Sequence, residues 1–225
     1  MQHALFDLDD TLYPKSAGVM QEVSQRINQY MALRLHMDET TIRTLRARYW
    51  NQYGTTMRGL LLEHGIDADD YLLYVHDFPV AERLTRNEKL REALAGLSWR
   101  KVVFTNSPRK HAQNVLQTLG LSEYFEGIFD IQTTGYVGKP DPVAYQFVLS
   151  AVGAQAQECI ALDDGLANLH TAAELGMITV FVGSGQPVDG VDFSIAVVED
   201  VSEVANKITN QAVSDPMEGI EKHAG

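Results

Sequence analysis

Two aspartates at alternate positions, Asp7 and Asp9, end the apolar segment that leads into Phe6-Asp7-Leu8-Asp9-Asp10-Thr11-Leu12. An extended backbone repeats every two residues, so both carboxylates would leave the chain on the same side. Like charges so placed repel unless a cation or a shared proton offsets them. That arrangement suits chemistry on an anion; the other reading is a solvated turn after a short edge strand, since Asp and Thr favour turns and caps. Three further places carry comparable groups: Thr105-Asn106-Ser107, Lys139 within Gly138-Lys139-Pro140-Asp141, and the pair Asp163-Asp164. Taken singly, Thr105 reads equally as a strand-end hydroxyl capping the next helix, and Lys139 as a solvated lysine ahead of a helix.

The elements that would bring these groups together are legible. Apolar runs at 4–8, 101–105, 159–162 and 178–182 are short and rich in Val, Ile, Leu or Phe, as expected of parallel strands covered on both faces. Weaker strand patterns lie at 127–131 and 193–197. Helical patterns at 109–119, 142–152 and 166–175 separate them, each followed by a glycine (Gly120, Gly153, Gly176) suited to a left-handed stop. This alternation predicts an α/β fold, a Rossmann-like parallel sheet with helices on both faces. Residues 16–92 break it and read as three to five amphipathic helices inserted between the first two strands. The expected division is a core of 1–15 and 93–225 with a helical cap of 16–92. Ligands of open parallel sheets bind outside the carboxyl ends of the strands, so Asp7, Asp9, Thr11, Thr105, Asn106, Ser107, Asp163 and Asp164 should converge, joined by Lys139.

Composition narrows the partners. A net charge of −12 over 225 residues argues against a nucleic-acid backbone or an anionic membrane surface. One cysteine, Cys159, excludes an internal disulfide and fits a reducing compartment; its apolar neighbours mark it as a core thiol. With no run of 18 apolar residues and no basic, then apolar, leader, a cytoplasmic location is expected. The stretch from Ser214, with Pro216 and two glycines, reads as a loose terminus.

At these residues the sequence resembles the haloacid dehalogenase-like (HAD) hydrolase superfamily. Its four motifs appear in order: Asp7-Leu8-Asp9-Asp10-Thr11, Thr105, Lys139 and Asp163-Asp164, with a helical insert where that family's C1-type cap belongs. The resemblance implies a phosphomonoesterase in which Asp7 attacks phosphorus to form an aspartyl-phosphate and Asp9 serves as general acid and base. It implies Mg²⁺ held by the Asp7 side chain, the backbone carbonyl of Asp9 and an acid of the last motif, Asp164 rather than its neighbour Asp163. Thr105 and Asn106 would hold phosphoryl oxygens, and Lys139 would offset charge. Asn168 stands where the family often has a further acid. Members that displace halide usually lack the second Asp, so Asp9 favours phosphate esters. Phosphonate-cleaving members need a cap lysine, and here only Lys15 and Lys89 lie near the insert's edges.

The insert resembles the pyrimidine 5′-nucleotidase-like branch at Tyr53-Gly54-Thr55-Thr56-Met57-Arg58-Gly59-Leu60, Glu63-His64-Gly65-Ile66 and Tyr74-Val75-His76-Asp77, as does Asp10-Thr11-Leu12-Tyr13-Pro14. That likeness implies a small phosphorylated metabolite such as UMP or CMP as substrate. A phosphosugar phosphatase and a non-catalytic scaffold on the same fold stay open, as does the oligomeric state. Arg58 is a candidate for phosphate or a base carbonyl, with a surface arginine as the other reading. Tyr13 could stack on a ring, although packing between cap and core is the preferred reading. His64, His76, Tyr49, Trp50, Tyr53, Tyr71 and Tyr74 read as ordinary helix residues. Hinges are expected near 14–18 and 78–86.

Overall fold

The computed structural model describes residues 1–214. Of the terminus expected to be loose, only Ser214 falls among the described residues, and it closes the last helix. Six strands, β1 (His3–Phe6), β2 (Arg100–Phe104), β3 (Gly127–Phe129), β4 (Cys159–Asp163), β5 (Ile178–Val182) and β6 (Phe193–Ile195), form one sheet in the order β3-β2-β1-β4-β5-β6. Every neighbouring pair is parallel. β1 lies between β2 and β4, with His3 opposite both Arg100 and Cys159. The strand order reverses direction at β1, which makes its carboxyl end the natural crevice for a ligand.

Nine helices accompany the strands among the described residues: α1 (Val19–Arg34), α2 (Glu39–Tyr53), α3 (Thr56–His64), α4 (Ala68–His76), α5 (Glu88–Ala95), α6 (Arg109–Leu119), α7 (Pro142–Val152), α8 (Leu166–Glu174) and α9 (Val201–Ser214). Side chains alternate across the sheet as a period of two demands. Ala4, Phe6, Val103, Ile160, Leu162 and Val180 pack on one face under α5, α6 and α9. Leu5, Val102, Phe104, Cys159 and Ala161 pack on the other under α7 and α8. Each such side chain, fully buried, contributes about 1.5–3 kcal/mol. Cys159 is buried, and burial pushes its thiol up to about 11, so it is a core residue and no nucleophile. No described helix is long and apolar enough to cross a membrane.

A third apolar cluster belongs to α1–α4 and includes Val23, Tyr30, Met31, Ile42, Tyr49, Leu60 and Val75. Gly59 is required inside it, because a Cβ there would lie 2.1 Å from the Tyr49 ring. This cluster meets the strand ends through Ile131, which packs within it. Tyr136 adds a hydrogen bond from its hydroxyl to Asp69 (2.9 Å). Gly54, in a left-handed conformation, lies against Pro140 and the Lys139 carbonyl. The packing of the inserted segment departs from the 16–92 expectation at its far end. Val80, Leu84 and Leu90 belong with the cluster on the sheet, because α5 covers the β1 face rather than joining the other four helices.

Candidate active site

The residues following β1, β2 and β4 and the loop before α7 do meet. Asp7, Asp9, Thr105, Asn106, Ser107, Lys139, Asp163, Asp164 and Asn168 line one cavity of about 240 Å³ between the sheet and α1–α4. The first strand stops sooner than its apolar pattern suggests. β1 ends at Phe6, although the Asp7 N–H still donates to the Leu162 carbonyl (2.9 Å), and the chain then turns through Asp10 at φ 62°. Asp7 and Asp9 therefore open on the same cavity without sharing partners, as strict alternation would have had them do.

Lys139 organises the floor. Its ammonium, on a residue 3% exposed, donates to Asp7 Oδ1 (2.8 Å) and Asp163 Oδ2 (2.6 Å) and lies 5.2 Å from the centre of the Phe104 ring. Asn106 fixes the lysine's backbone reciprocally: its amide donates to the Lys139 carbonyl and its carbonyl accepts from the Lys139 N–H. The Asn106 side chain thus anchors the lysine loop, and only its backbone is left for a phosphoryl oxygen. Gly138 permits the arrangement, since a Cβ there would meet Asn106 Oδ1 at 2.5 Å. Thr105 Oγ1 accepts from the Ser107 N–H, which leaves its hydroxyl proton for a ligand.

Burial pushes the Asp7 carboxyl up to about 8; Lys139 opposes that rise and Asp163 adds to it. Burial works against the Lys139 charge, but Asp163 and Asp7 outweigh it and hold the ammonium well above the ordinary lysine range. Burial thus works against the charged form of Asp7 that attack on phosphorus requires. A further cation at this point would restore the charged form.

The donor set fits such a cation. Asp7, Asp163 and Asp164 each offer a carboxylate oxygen, all within 4.8 Å of one another. Oxygens on one Mg²⁺ lie at most about 4.2 Å apart, so small side-chain shifts suffice, and hard carboxylates are the ligands Mg²⁺ takes. The two acids of the last motif differ in availability. Asp163 is committed on both oxygens, to Lys139 on one side and to the Gly165 N–H (2.7 Å) and Asn168 Nδ2 (2.9 Å) on the other. Asn168 is a donor where an acid would repel Asp163. Asp164 pairs with Lys15 (2.9 Å), a lysine whose side chain is 69% exposed. Its backbone N–H is held by Thr11 Oγ1.

Asp9 sits in a separate cage. Its Oδ1 accepts from His111 Nε2 (2.8 Å) and from the Tyr13 hydroxyl, and its Oδ2 from the Ser107 hydroxyl. Burial alone would raise the carboxyl; His111, Ser107 and Tyr13 outweigh it and keep Asp9 far below the usual carboxylate range. Tyr13 is buried as packing would require, yet its hydroxyl belongs to the site. His111 escaped the sequence reading because a lone histidine on an amphipathic helix carries no spacing signal. His76 was read as an ordinary helix residue, but it lines the cavity and stands beside Ser107.

The opposite wall is built by α1–α4: Met20, Val23 and Ile27 from α1, Met57 from α3, Leu72 and Val75 from α4. Arg58 is not in it; its guanidinium reaches the Tyr136 carbonyl instead (3.4 Å). The arginine in the wall is Arg46. It donates to the Ser24 carbonyl, the Ser24 hydroxyl and Asn28 Oδ1, all neutral acceptors. One turn on, Trp50 lines the same cavity with 68% of its surface exposed and is no packing residue. Tyr49, by contrast, is fully buried in the cluster.

A six-stranded parallel sheet with two carboxylates, a buried lysine and an acidic pair at its carboxyl edge defines a hydrolase of the haloacid dehalogenase type. Residues 1–176 match the family model for haloacid dehalogenase-like hydrolases, and the chain belongs to that family. Among curated proteins it is 29% identical over 187 residues to phosphate metabolism protein 8 of Saccharomyces cerevisiae, covering 76% of this chain and 58% of the yeast protein. It is 24% identical over 208 residues to validoxylamine A 7′-phosphate phosphatase of Streptomyces hygroscopicus, covering 89% and 94%. Among solved structures, β-phosphoglucomutase from Clostridium difficile superposes with a TM-score of 0.63 at 17% identity, over 96% of this chain and 100% of that one.

Proposed function

We propose that this protein is a Mg²⁺-dependent phosphomonoesterase working through an aspartyl-phosphate, with a pyrimidine nucleoside 5′-monophosphate as substrate. The observation that carries the reaction type is the buried Asp7 facing Lys139 at the end of the central strand, two residues before a second, separately held acid. Asp7 would attack phosphorus as the ester P–O bond breaks, and Asp9 would give the departing alkoxide its proton. Asp9 is ionised in the free protein, so that proton arrives with the ester, whose second pKa lies near about 6. Water then attacks the phosphoryl group, gives a proton to Asp9 and releases Asp7. Asp7, Asp164 and the Asp9 carbonyl would hold Mg²⁺, with Asp163 within reach and chiefly orienting Lys139. The ion would keep Asp7 ionised and offset the charge of the phosphoryl group. Thr105 and the Asn106 backbone would hold phosphoryl oxygens.

For the substrate, the wall of the cavity supports a planar, acceptor-rich group. Its apolar side chains match a ring, the exposed Trp50 indole offers a stacking surface, and Arg46 has a charge that its neutral partners leave uncompensated. A phosphosugar would leave that apolar wall without a match. The helices α1–α4 would act as a cap that opens and closes over the floor. Turnover of UMP, CMP, glucose 6-phosphate and a chromogenic phosphate, each with Mg²⁺ and with chelator, tests both levels. Hydrolysis of all four without metal dependence would refute the reaction type, and a preference for the sugar phosphate would refute the substrate.

A further inference from the structure

Two histidines beside Asp9, one hydrogen-bonded to it and one packed on the first, have no place in the reaction as derived so far. His111 is 2% exposed, and its Nε2 lies 2.8 Å from Asp9 Oδ1. Its Nδ1 has no hydrogen-bond partner among the described residues. A buried ring nitrogen without a partner costs stability, so a hydrophobic residue would serve the fold better. The one polar anchor of this imidazole is the acid two residues after Asp7. The ring is packed in place by Phe78 (centroids 6.2 Å apart) and His76 (4.8 Å).

His76 is the last residue of α4. Its Nδ1 lies 2.9 Å from the Leu72 carbonyl, an acceptor, so Nδ1 carries the proton. Nε2 is thereby left with a lone pair, 3.4 Å from the Ser107 hydroxyl oxygen. Ser107 has one hydroxyl proton and gives it to Asp9 in the shorter contact. His76 Nε2 therefore receives no proton from Ser107, and what His76 offers the acid is its packing on the His111 ring. The helical unit thus touches two of the three groups that hold the acid, packing on His111 and facing Ser107.

We infer that His111 and His76 are positioning residues for Asp9: His111 fixes the carboxylate directly, and His76 acts from the end of α4 by holding the His111 ring against which it packs. This rests on the phosphatase reading above and adds to it the groups that aim the general acid. A positioning role has a signature that a structural role lacks, because proton delivery matters only when the leaving group is a poor one. Misplacing a reacting group by about 1 Å costs on the order of 10²-fold.

The test is single-turnover phosphorylation of Asp7, followed by rapid quench with Mg²⁺ present, using UMP and 2,4-dinitrophenyl phosphate in parallel. The alkoxide of UMP needs a proton, and dinitrophenolate does not. His111→Ala is expected to slow the UMP reaction by about 10²-fold and the dinitrophenyl reaction by threefold or less. His111→Gln, which restores an N–H donor near the Nε2 position, should recover most of that loss. His76→Ala should show the same pattern at roughly tenfold. Equal losses on both esters would make the histidines structural and overturn the inference, as would no loss on either. Should His111→Ala fail to fold, His111→Gln and His76→Ala carry the same comparison. A wild-type protein that reacts with neither ester would sink the phosphatase reading itself, a result distinct from any pattern among the variants.

Discussion

The floor and the wall of the cavity are built on opposite terms. The floor is a cluster of buried charged groups: Asp7 and Asp163 on strand ends whose backbones are fixed by the sheet, and Lys139 on a loop that Asn106 anchors. The wall is mostly apolar, carried by helices, and contains one arginine satisfied by neutral acceptors. Charges in a dry, rigid setting stabilise a developing charge without reorganising. An apolar surface on separate helices sorts ligands by shape and size. Chemistry and selection are thus assigned to different layers, and substitutions should separate them.

The largest effect should come from the floor. Asp7→Asn is expected to lower turnover of every phosphate ester by at least about 10⁴-fold while circular dichroism stays unchanged; retained metal-dependent turnover would end the nucleophile assignment. Lys139→Met leaves two buried carboxylates without their cation, and losing one partner of a buried pair costs about 3–5 kcal/mol. Urea unfolding should show that loss alongside the loss of activity. In the wall the effects should be smaller and substrate-dependent. Trp50→Ala should cost kcat/KM on UMP about 5–150-fold, the range of 1–3 kcal/mol for stacking a base on an aromatic side chain. Arg46→Ala should cost roughly tenfold, and acetyl phosphate turnover should hold within about twofold for both. Equal losses on UMP and acetyl phosphate would erase the distinction between layers.

Two stability measurements sharpen it further. Gly59→Ala forces a methyl group into the Tyr49 ring and should lower stability by about 1–3 kcal/mol, seen as a lower thermal midpoint. His76 is held down to about 3 by burial first and by the neighbouring His111 second. The unfolded chain takes up that proton near the ordinary value of 6.5. The native state therefore loses stability as pH falls from about 6.5 toward 3. His76→Gln removes this term, so the wild type should lose more than the variant across that window. Parallel pH curves for the two proteins would contradict the buried, neutral histidine.

The floor acids were legible in the sequence because Asp7 and Asp163 each follow an apolar run, and parallel strands gather their carboxyl ends; Lys139, from a loop, was read from the family resemblance. Helices α6 and α7 fall on their expected residues for the same reason: glycines at 120 and 153 stop them where the pattern ends. Asp9's cage was not legible. Tyr13, Ser107 and His111 come from a turn, a strand end and a helix, and no periodicity links them. The sequence pointed to Arg58, within the glycine-flanked segment, whereas the arginine and exposed indole that line the cavity are Arg46 and Trp50 on α2. The rotation of a helix about its axis depends on what its neighbours bury, and local sequence does not record that. Which cluster Val80, Leu84 and Leu90 join was not legible either, since they are apolar enough for both.

The central strand pairs with partners synthesised long after it. His3 must wait for Arg100 on one side and Cys159 on the other, so a ribosome exposes β1 as an unmatched edge through the making of five α-helices. Non-local pairing of this kind is slow and leaves early segments open to association with other chains. The acid at position 7 acquires its lysine only once residue 139 has emerged. A truncated product that stops before that loop would present Asp7 without its ammonium partner.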